Sequence, residues 1–297
     1  MQETDRIVRA MNEEKNVRLL LARTTRLVEE ARRRHHTTPT ATAALGRVLT
    51  AAVMIGADIK GAETVTLRVN GGGPLGTLLA VACGDGTVRG YVAEPAVDVP
   101  EKWPGKLDVG SAVGSNGHLE VIKDLGLKNP FAGTVPLVSG EIAEDLAYYF
   151  TLSEQIPSLV ALGVYVERDH SVGVAGGLII QAMPGANDEV LRLIEDRVQH
   201  LGPITGLLRQ EQLETVVDVV LQGIAHEVID SKPLAFRCRC NRERVTSIIA
   251  ALSDEDIHQA LKTRGKLEVT CNFCNEAYDF TAEDVARIRA GTGTVGS

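Results

Sequence analysis

The sequence predicts an α+β protein in three parts: a β-rich N-terminal domain with packed helices (residues 1–183), an amphipathic helical linker (184–232) and a small C-terminal unit (233–297). Three observations predict it. Short alternating strands with few helices fill the first part, a succession that fits α+β better than regular βαβ repeats. After Met183-Pro184-Gly185 the apolar period becomes helical, and 184–232 carries nine acidic against four basic residues. Beyond Lys232-Pro233, four of the five cysteines fall within 37 residues.

Ile7 to Leu21 alternate as a strand, with Val17, Leu19 and Leu21 on one face. His35-His36 lies in an Arg-rich stretch expected to be solvated. Thr37-Thr38-Pro39 supplies N-cap chemistry and a first-turn proline, so Thr40–Ala57 is expected as a buried helix ending near Gly56. Val65, Leu67 and Val69 mark a strand, glycines 71–73 turn the chain, and Leu78–Ala82 resumes it. Cys83-Gly84-Asp85-Gly86-Thr87 reads as a hairpin, because Gly and Asp tolerate positive φ. Further strands are expected at Leu119–Ile122, Val135–Val138, Gly163–Glu167 and Ser171–Gln181, with a helix over Ile142–Ser153 capped by Ser139.

In the linker, Asn187 caps a helix whose Leu191, Ile194, Val198 and Leu201 share one face, and Gly202-Pro203 stops it. A second helix is expected over Gln210–Ile224, with Leu213, Val216, Val217 and Val220 as its apolar face. Both faces need a partner, and the β-rich domain is the expected one. In the C-terminal unit, two short helices (Asn241–Leu252 and Ser253–Lys262) precede a strand–turn–strand, and Ser253 with Asp256 resembles a capping box. Its core is thin: Val245, Ile248, Ile249, Leu252, Ile257, Leu261, Val269, Phe273 and Phe280. The tail Gly291–Ser297 is expected to be disordered.

Of the 297 residues, 44% are apolar and 24% charged, which are globular values. Only 4% are aromatic, so the core is aliphatic. A net charge of −8 argues against a nucleic-acid footprint. The N-terminus is charged throughout and no uncharged apolar run reaches the roughly 18 residues of a membrane span. A cytoplasmic protein with no membrane partner is expected, and there cysteines point to metal or redox chemistry rather than a disulfide framework.

The chemistry rests on Cys238-Arg-Cys240 and Cys271-Asn-Phe-Cys274. Four thiolates in two close pairs are what a tetrahedral Zn²⁺ requires, so one ion per chain is expected on Cys238, Cys240, Cys271 and Cys274, with no histidine ligand. Buried thiols packing as small hydrophobes would not cluster in this way. The second pair fits a zinc knuckle; the first is tighter than the usual two-residue spacing. A purely structural zinc is the alternative, and against it stand Arg237, Arg239, Arg242 and Arg244, cations that stabilise thiolates and ease their oxidation. A unit this small needs its metal to fold. Elsewhere, Gly71-Gly-Gly73-Pro-Leu-Gly76 formally matches GxGxxG, but a strand rather than a helix follows, so it reads as a turn. Cys83 reads as a core thiol.

The Cys-x-Cys and Cys-x-x-Cys pairs resemble those of the 33-kilodalton heat-shock protein family, redox-regulated bacterial holdase chaperones. The resemblance extends over GGGPLGTLLAVACGDGTVRGYV (71–92), the segment 117–164 and HLGPITGLL (200–208). It implies a chaperone without enzymatic activity that is inactive while its cysteines are reduced and hold zinc. It further implies that oxidants form the disulfides Cys238–Cys240 and Cys271–Cys274, that zinc leaves, and that the C-terminal unit and linker unfold. A homodimer then captures unfolding client proteins without ATP. Two other classes compete: a zinc-ribbon nucleic-acid binder, which the net charge disfavours, and a thiol–disulfide oxidoreductase using Cys271 and Cys274, for which the βαβ context is missing.

Overall fold

A computed structural model describes residues 4–292. It is α+β, and the chain forms two compact units, one up to Arg237 and one from Cys238 onward. The first begins with β1 (Arg6–Asn12) and β2 (Val17–Arg23), paired antiparallel. The single strand expected over Ile7–Leu21 is two, because Asn12 turns the chain by accepting hydrogen bonds from the amides of Asn16 (3.0 Å) and Val17 (2.9 Å). The Arg-rich stretch is not a solvated segment but α1 (Thr25–His35), with Leu27, Val28, Ala31 and His35 buried beneath arginines paired to Glu29 and Glu30. Asp5 sits under its first turn and accepts from the amides of Arg26 (3.1 Å) and Leu27 (2.6 Å). Burial pushes the Asp5 carboxyl up to about 6 despite those bonds.

Thr38 caps α2 (Pro39–Ile55) through its hydroxyl, and Gly56 ends it, as the sequence predicts. Pro39–Asp58 is long and apolar enough to cross a membrane, yet 94% of its most apolar window lies buried in the fold. It is the central helix. There follow β3 (Thr64–Asn70), β4 (Leu78–Cys83), β5 (Thr87–Val92), α3 (Val109–Val113), β6 (His118–Asp124), β7 (Phe131–Pro136), α4 (Ala143–Leu152), β8 (Ser158–Val166) and β9 (Val172–Ala182). Ser139 is not the cap of α4. The buried Asp145 carboxylate takes that role, accepting from the amides of Val138 (2.7 Å), Ser139 (3.0 Å) and Ile142 (2.9 Å). The glycine turn at 71–76 packs backbone to backbone on α3: Gly73 N donates to Val113 O at 2.9 Å, and a Cβ on Gly71 would lie 2.0 Å from Gly114 O.

Asn187 caps α5 (Asp188–His200), as expected. Next come α6 (Ile204–Gln210), which the sequence does not predict, and α7 (Leu213–Val220), a shorter form of the helix expected over Gln210–Ile224. The Arg23 guanidinium captures the carbonyls of Leu208 (2.8 Å) and Glu211 (2.7 Å) at the end of α6 and separates the two. The linker span then ends not in helix but in β10 (His226–Pro233), followed by β11 (Ala235–Phe236).

One sheet runs β10-β1-β2-β9-β8 and the other β11-β5-β4-β3-β6-β7, with α2 packed between them. Strand alternation gives the first sheet two apolar faces. Leu20 and Ala22 of β2 look toward α2, whereas Leu19 and Leu21 join Val8, Leu178 and Ile180 beneath α5–α7. On that outer face Leu213, Val216, Val217 and Val220 are completely buried. Three polar contacts reinforce the packing: Arg6 on Glu214, Arg23 on α6, and Arg197 donating to Val220 O at 2.9 Å.

The second unit contains α8 (Arg242–Ala251), α9 (Asp254–Arg264), β12 (Leu267–Thr270), β13 (Ala277–Phe280) and α10 (Ala282–Thr292). Ser253 caps α9 and its hydroxyl also meets Asp256, the predicted box. The core is Val245, Ile249, Ile257, Leu267, Phe280 and Val285. Ile248, counted in it from sequence, is 55% exposed, because it lies off the face shared by Val245 and Ile249. Helix α10 carries Gly291 and Thr292, so the tail is helical further than expected; 293–297 lie outside the described residues.

Candidate metal centre

The four cysteines meet at one point, their sulfurs all within 4.8 Å of one another. Cys238 and Cys240 lie between the end of β11 and α8, whose start is fixed by Asn241 accepting from Arg244 N at 2.8 Å. Cys271 and Cys274 occupy the turn between β12 and β13. There Cys271 O accepts from Asn275 N (2.8 Å) and Cys274 N (3.3 Å), and Cys271 N donates to Glu276 O (2.9 Å). Asn275 takes φ +57, a left-handed conformation that asparagine tolerates better than most residues. The strand–turn–strand read from sequence is therefore a knuckle presenting two sulfurs from one tight turn.

Across the pairs, Cys238 Sγ lies 3.8 Å from Cys271 Sγ, and Cys240 Sγ lies 3.3 Å from Cys274 Sγ. A tetrahedral ion with metal–sulfur bonds of about 2.3 Å spaces its sulfurs about 3.8 Å apart, so this donor set fits a four-thiolate metal site. Cys238, Cys240 and Cys271 are half-buried and only Cys274 is buried, which does not suit thiols packing as core hydrophobes. Cys83 stands apart, buried at the end of β4. Among the described residues no histidine joins a metal-binding cluster.

The sulfurs are electrostatically unequal. Burial pushes the Cys238 and Cys274 thiols up. At Cys240 burial acts in the same direction but is outweighed by hydrogen bonds from Tyr278 and the neighbouring thiols, which hold it below its ordinary value. The Tyr278 hydroxyl donates to Cys240 Sγ at 3.2 Å and is itself driven up by that bond. Tyr278 is the site residue that the sequence reading missed; its signal is the alternation with Phe280, which puts both rings on one side of β13. Two of the arginines singled out from sequence face elsewhere. Arg242 stacks 4.2 Å from the Phe280 ring centroid and donates to Asp279 O, and Arg244 donates to Arg239 O.

The family model described as Hsp33 protein matches residues 5–281. The chain belongs to the Hsp33 family. It is 47% identical over 285 residues to the 33 kDa chaperonin of Desulforamulus reducens, covering 96% of this chain and 97% of the relative. The 33 kDa chaperonin of Geobacillus kaustophilus is 45% identical over 286 residues with the same coverage. The crystal structure of a 33 kDa chaperonin from Thermotoga maritima, a heat shock protein 33 homolog, superposes with a TM-score of 0.91 at 36% identity, over 98% of this chain and 99% of that one. This is the family that the cysteine pairs and the segments 71–92, 117–164 and 200–208 resemble.

Proposed function

We propose that this member of the Hsp33 family is a cytoplasmic, ATP-independent holdase chaperone whose client binding is governed by the oxidation state of Cys238, Cys240, Cys271 and Cys274. The observation that carries the reading is the convergence of those four thiols in a unit whose core, among the described residues, is a cluster of six buried apolar side chains. A zinc ion bound there would supply the cross-link that such a core lacks; structural zinc sites contribute roughly 10 kcal/mol or more. In the reduced chain the four thiolates hold the second unit folded, and the apolar faces of α6 and α7 stay packed on the first sheet.

Peroxide oxidises the thiols pairwise. Each disulfide forms as two thiols lose two electrons and two protons to one peroxide, which leaves as two waters. With the sulfurs consumed, no donors remain for the metal and the second unit unfolds. We assign the pairs Cys238–Cys240 and Cys271–Cys274, with Cys83 remaining reduced. Apolar surface on the connector and sheet then binds non-native chains, with the active form a homodimer. No residue in this scheme is catalytic.

The test is suppression of client aggregation before and after peroxide, with zinc release followed in parallel. Activity should appear only after oxidation, with one zinc released per chain. A reduced protein that holds clients equally well, or that is purified without zinc, would sink the reading. Peptide mapping that joins 238 or 240 to 271 or 274 in the active form would overturn the pairing.

A further inference from the structure

We infer that the outer edge of β5, with the cleft beside α1, is a binding site for an extended peptide, occupied in this chain by its own segment Leu234-Ala235-Phe236. This rests on the holdase reading and names where part of a client would sit. The segment is seated as a bound peptide would be. Ala235 and Phe236 pair in parallel with Thr87 and Val88. Main-chain bonds run from Ala235 N to Gly86 O (3.2 Å), from Arg237 N to Val88 O (2.8 Å) and from Leu234 N to Asp5 O (3.0 Å). Lys232 Nζ adds bonds to Ala57 O (3.2 Å) and Gly84 O (3.1 Å) just before it.

Two side chains, two residues apart and so on one side of the strand, anchor it. Leu234 is 7% exposed and belongs to the central core. Phe236 packs on that core edge-on to His35, ring centroids 6.5 Å apart, with the Arg34 guanidinium 6.0 Å from its ring. Between this strap and α1 lies a cleft of about 560 Å³, lined by Asp5, Arg26, Leu27 and Glu30 among others.

Main-chain pairing is available to any extended chain, and the two anchor pockets ask only for an aliphatic residue followed two positions later by an aromatic. Such a site is tolerant of sequence, as holding unrelated clients demands. Its present occupant is short: β11 covers only the first two of the six residues of β5. It also runs directly into Cys238. Once the cysteines no longer hold the chain beyond Arg237, the strap keeps only these few contacts, and a longer apolar segment can displace it and extend along β5.

The probe is a fluorescein-labelled peptide of residues 231–237 carrying a photocrosslinker at the phenylalanine. It is titrated into three full-length proteins: reduced and zinc-loaded, peroxide-treated, and reduced Leu234→Asp/Phe236→Asp, whose own strap cannot seat. Binding should be at least tenfold tighter to the second and third than to the first, with cross-links on α1 or residues 86–92. A peptide with aspartate at both anchors should not bind. Equal binding to all three, binding to neither opened form, or cross-links elsewhere would overturn the inference. Should the double variant fail to fold, Phe236→Asp alone serves instead, since Phe236 is only half-buried and its loss spares the Leu234 contact with the core. Oxidised protein that holds clients but ignores the peptide refutes this site and leaves the holdase reading intact. Peptide binding by the variants without oxidant-induced holding does the reverse.

Discussion

Truncating Leu213 to alanine tests whether the connector is docked by its own packing. Leu213 is fully buried at the start of α7, in the cluster built on Val8, Leu19 and Leu21. Removing its isopropyl branch deletes that packing and leaves a cavity, a change that destabilises by about 3 kcal/mol at such sites. Because α7 lies on the outside of the first sheet, the loss falls first on the local opening of α7. A shift of that size raises the open population roughly a hundredfold. The assay is hydrogen exchange read by mass spectrometry on the reduced protein. Amides of 213–220 should lose about two orders of magnitude in protection, while those of β3, β4 and β6 change far less. The reduced variant should also suppress client aggregation in part, without oxidant. Uniform loss of protection across both sheets, or none at α7, would refute the reasoning.

The ion pair beside Leu213 should behave similarly but more weakly. Arg6 holds the Glu214 carboxyl down at about 2, so its contribution is present above the ordinary glutamate value and is lost as pH falls through 4.5 toward 2. Glu214 is half-exposed, so Glu214→Gln should cost under about 1 kcal/mol in chemical unfolding and flatten that acid dependence. Tyr278→Phe removes the donor to Cys240 and should weaken zinc affinity by about 10-fold or more in a competitive chelator titration, with the fold unchanged by circular dichroism. Asp5 titrates near 6 in the fold against 3.8 as its ordinary value, so its stabilising effect is full below 3.8 and lost as pH rises through 6. The stability of the natural chain relative to Asp5→Asn should therefore fall by up to about 3 kcal/mol between pH 4 and 7, measured by denaturant titration.

Where a single local rule governs, the sequence was enough. Thr38 and Pro39 start α2, Asn187 starts α5, Gly86 with φ +82 closes the β4–β5 hairpin, and the cysteine spacing brings four sulfurs together. Tertiary partners decided the rest. Helix α1 was missed because its arginines outnumber its apolar residues; what makes it a helix is Asp5, twenty-one residues upstream of Arg26, receiving its first amides. The break between α6 and α7 depends on Arg23 from β2. Strand β10 shows no apolar alternation, since most of its side chains are exposed and its place is set by pairing with β1. At the centre, spacing revealed the four cysteines that meet there but not Tyr278, whose importance depends on which way one face of β13 points.

The order in which the molecule opens follows from what lies between the cysteines and α7. Working back from Cys238, the chain passes first through β11, with two paired residues, and then through β10, which pairs with β1 from Arg6–Pro233 to Asn12–His226. Along the chain, loss of the cysteine centre reaches the strap first. Strand β10 is a sheet edge, interrupted by a bulge that leaves Ile229 without a place in the register and 44% exposed. It is therefore the weaker of the two barriers, and α7, with four buried side chains and the Arg6 contact, is the stronger. A bulge interrupts the ladder and makes fraying at the Pro233 end separable from the rest. After peroxide, pulsed hydrogen exchange should show protection lost first at 235–237, then at 230–232, then at 226–228 and only afterwards at 213–220. Opening of α7 while β10 remained protected would mean that the signal reaches the connector by a route other than the chain itself, and this account of the coupling would be wrong.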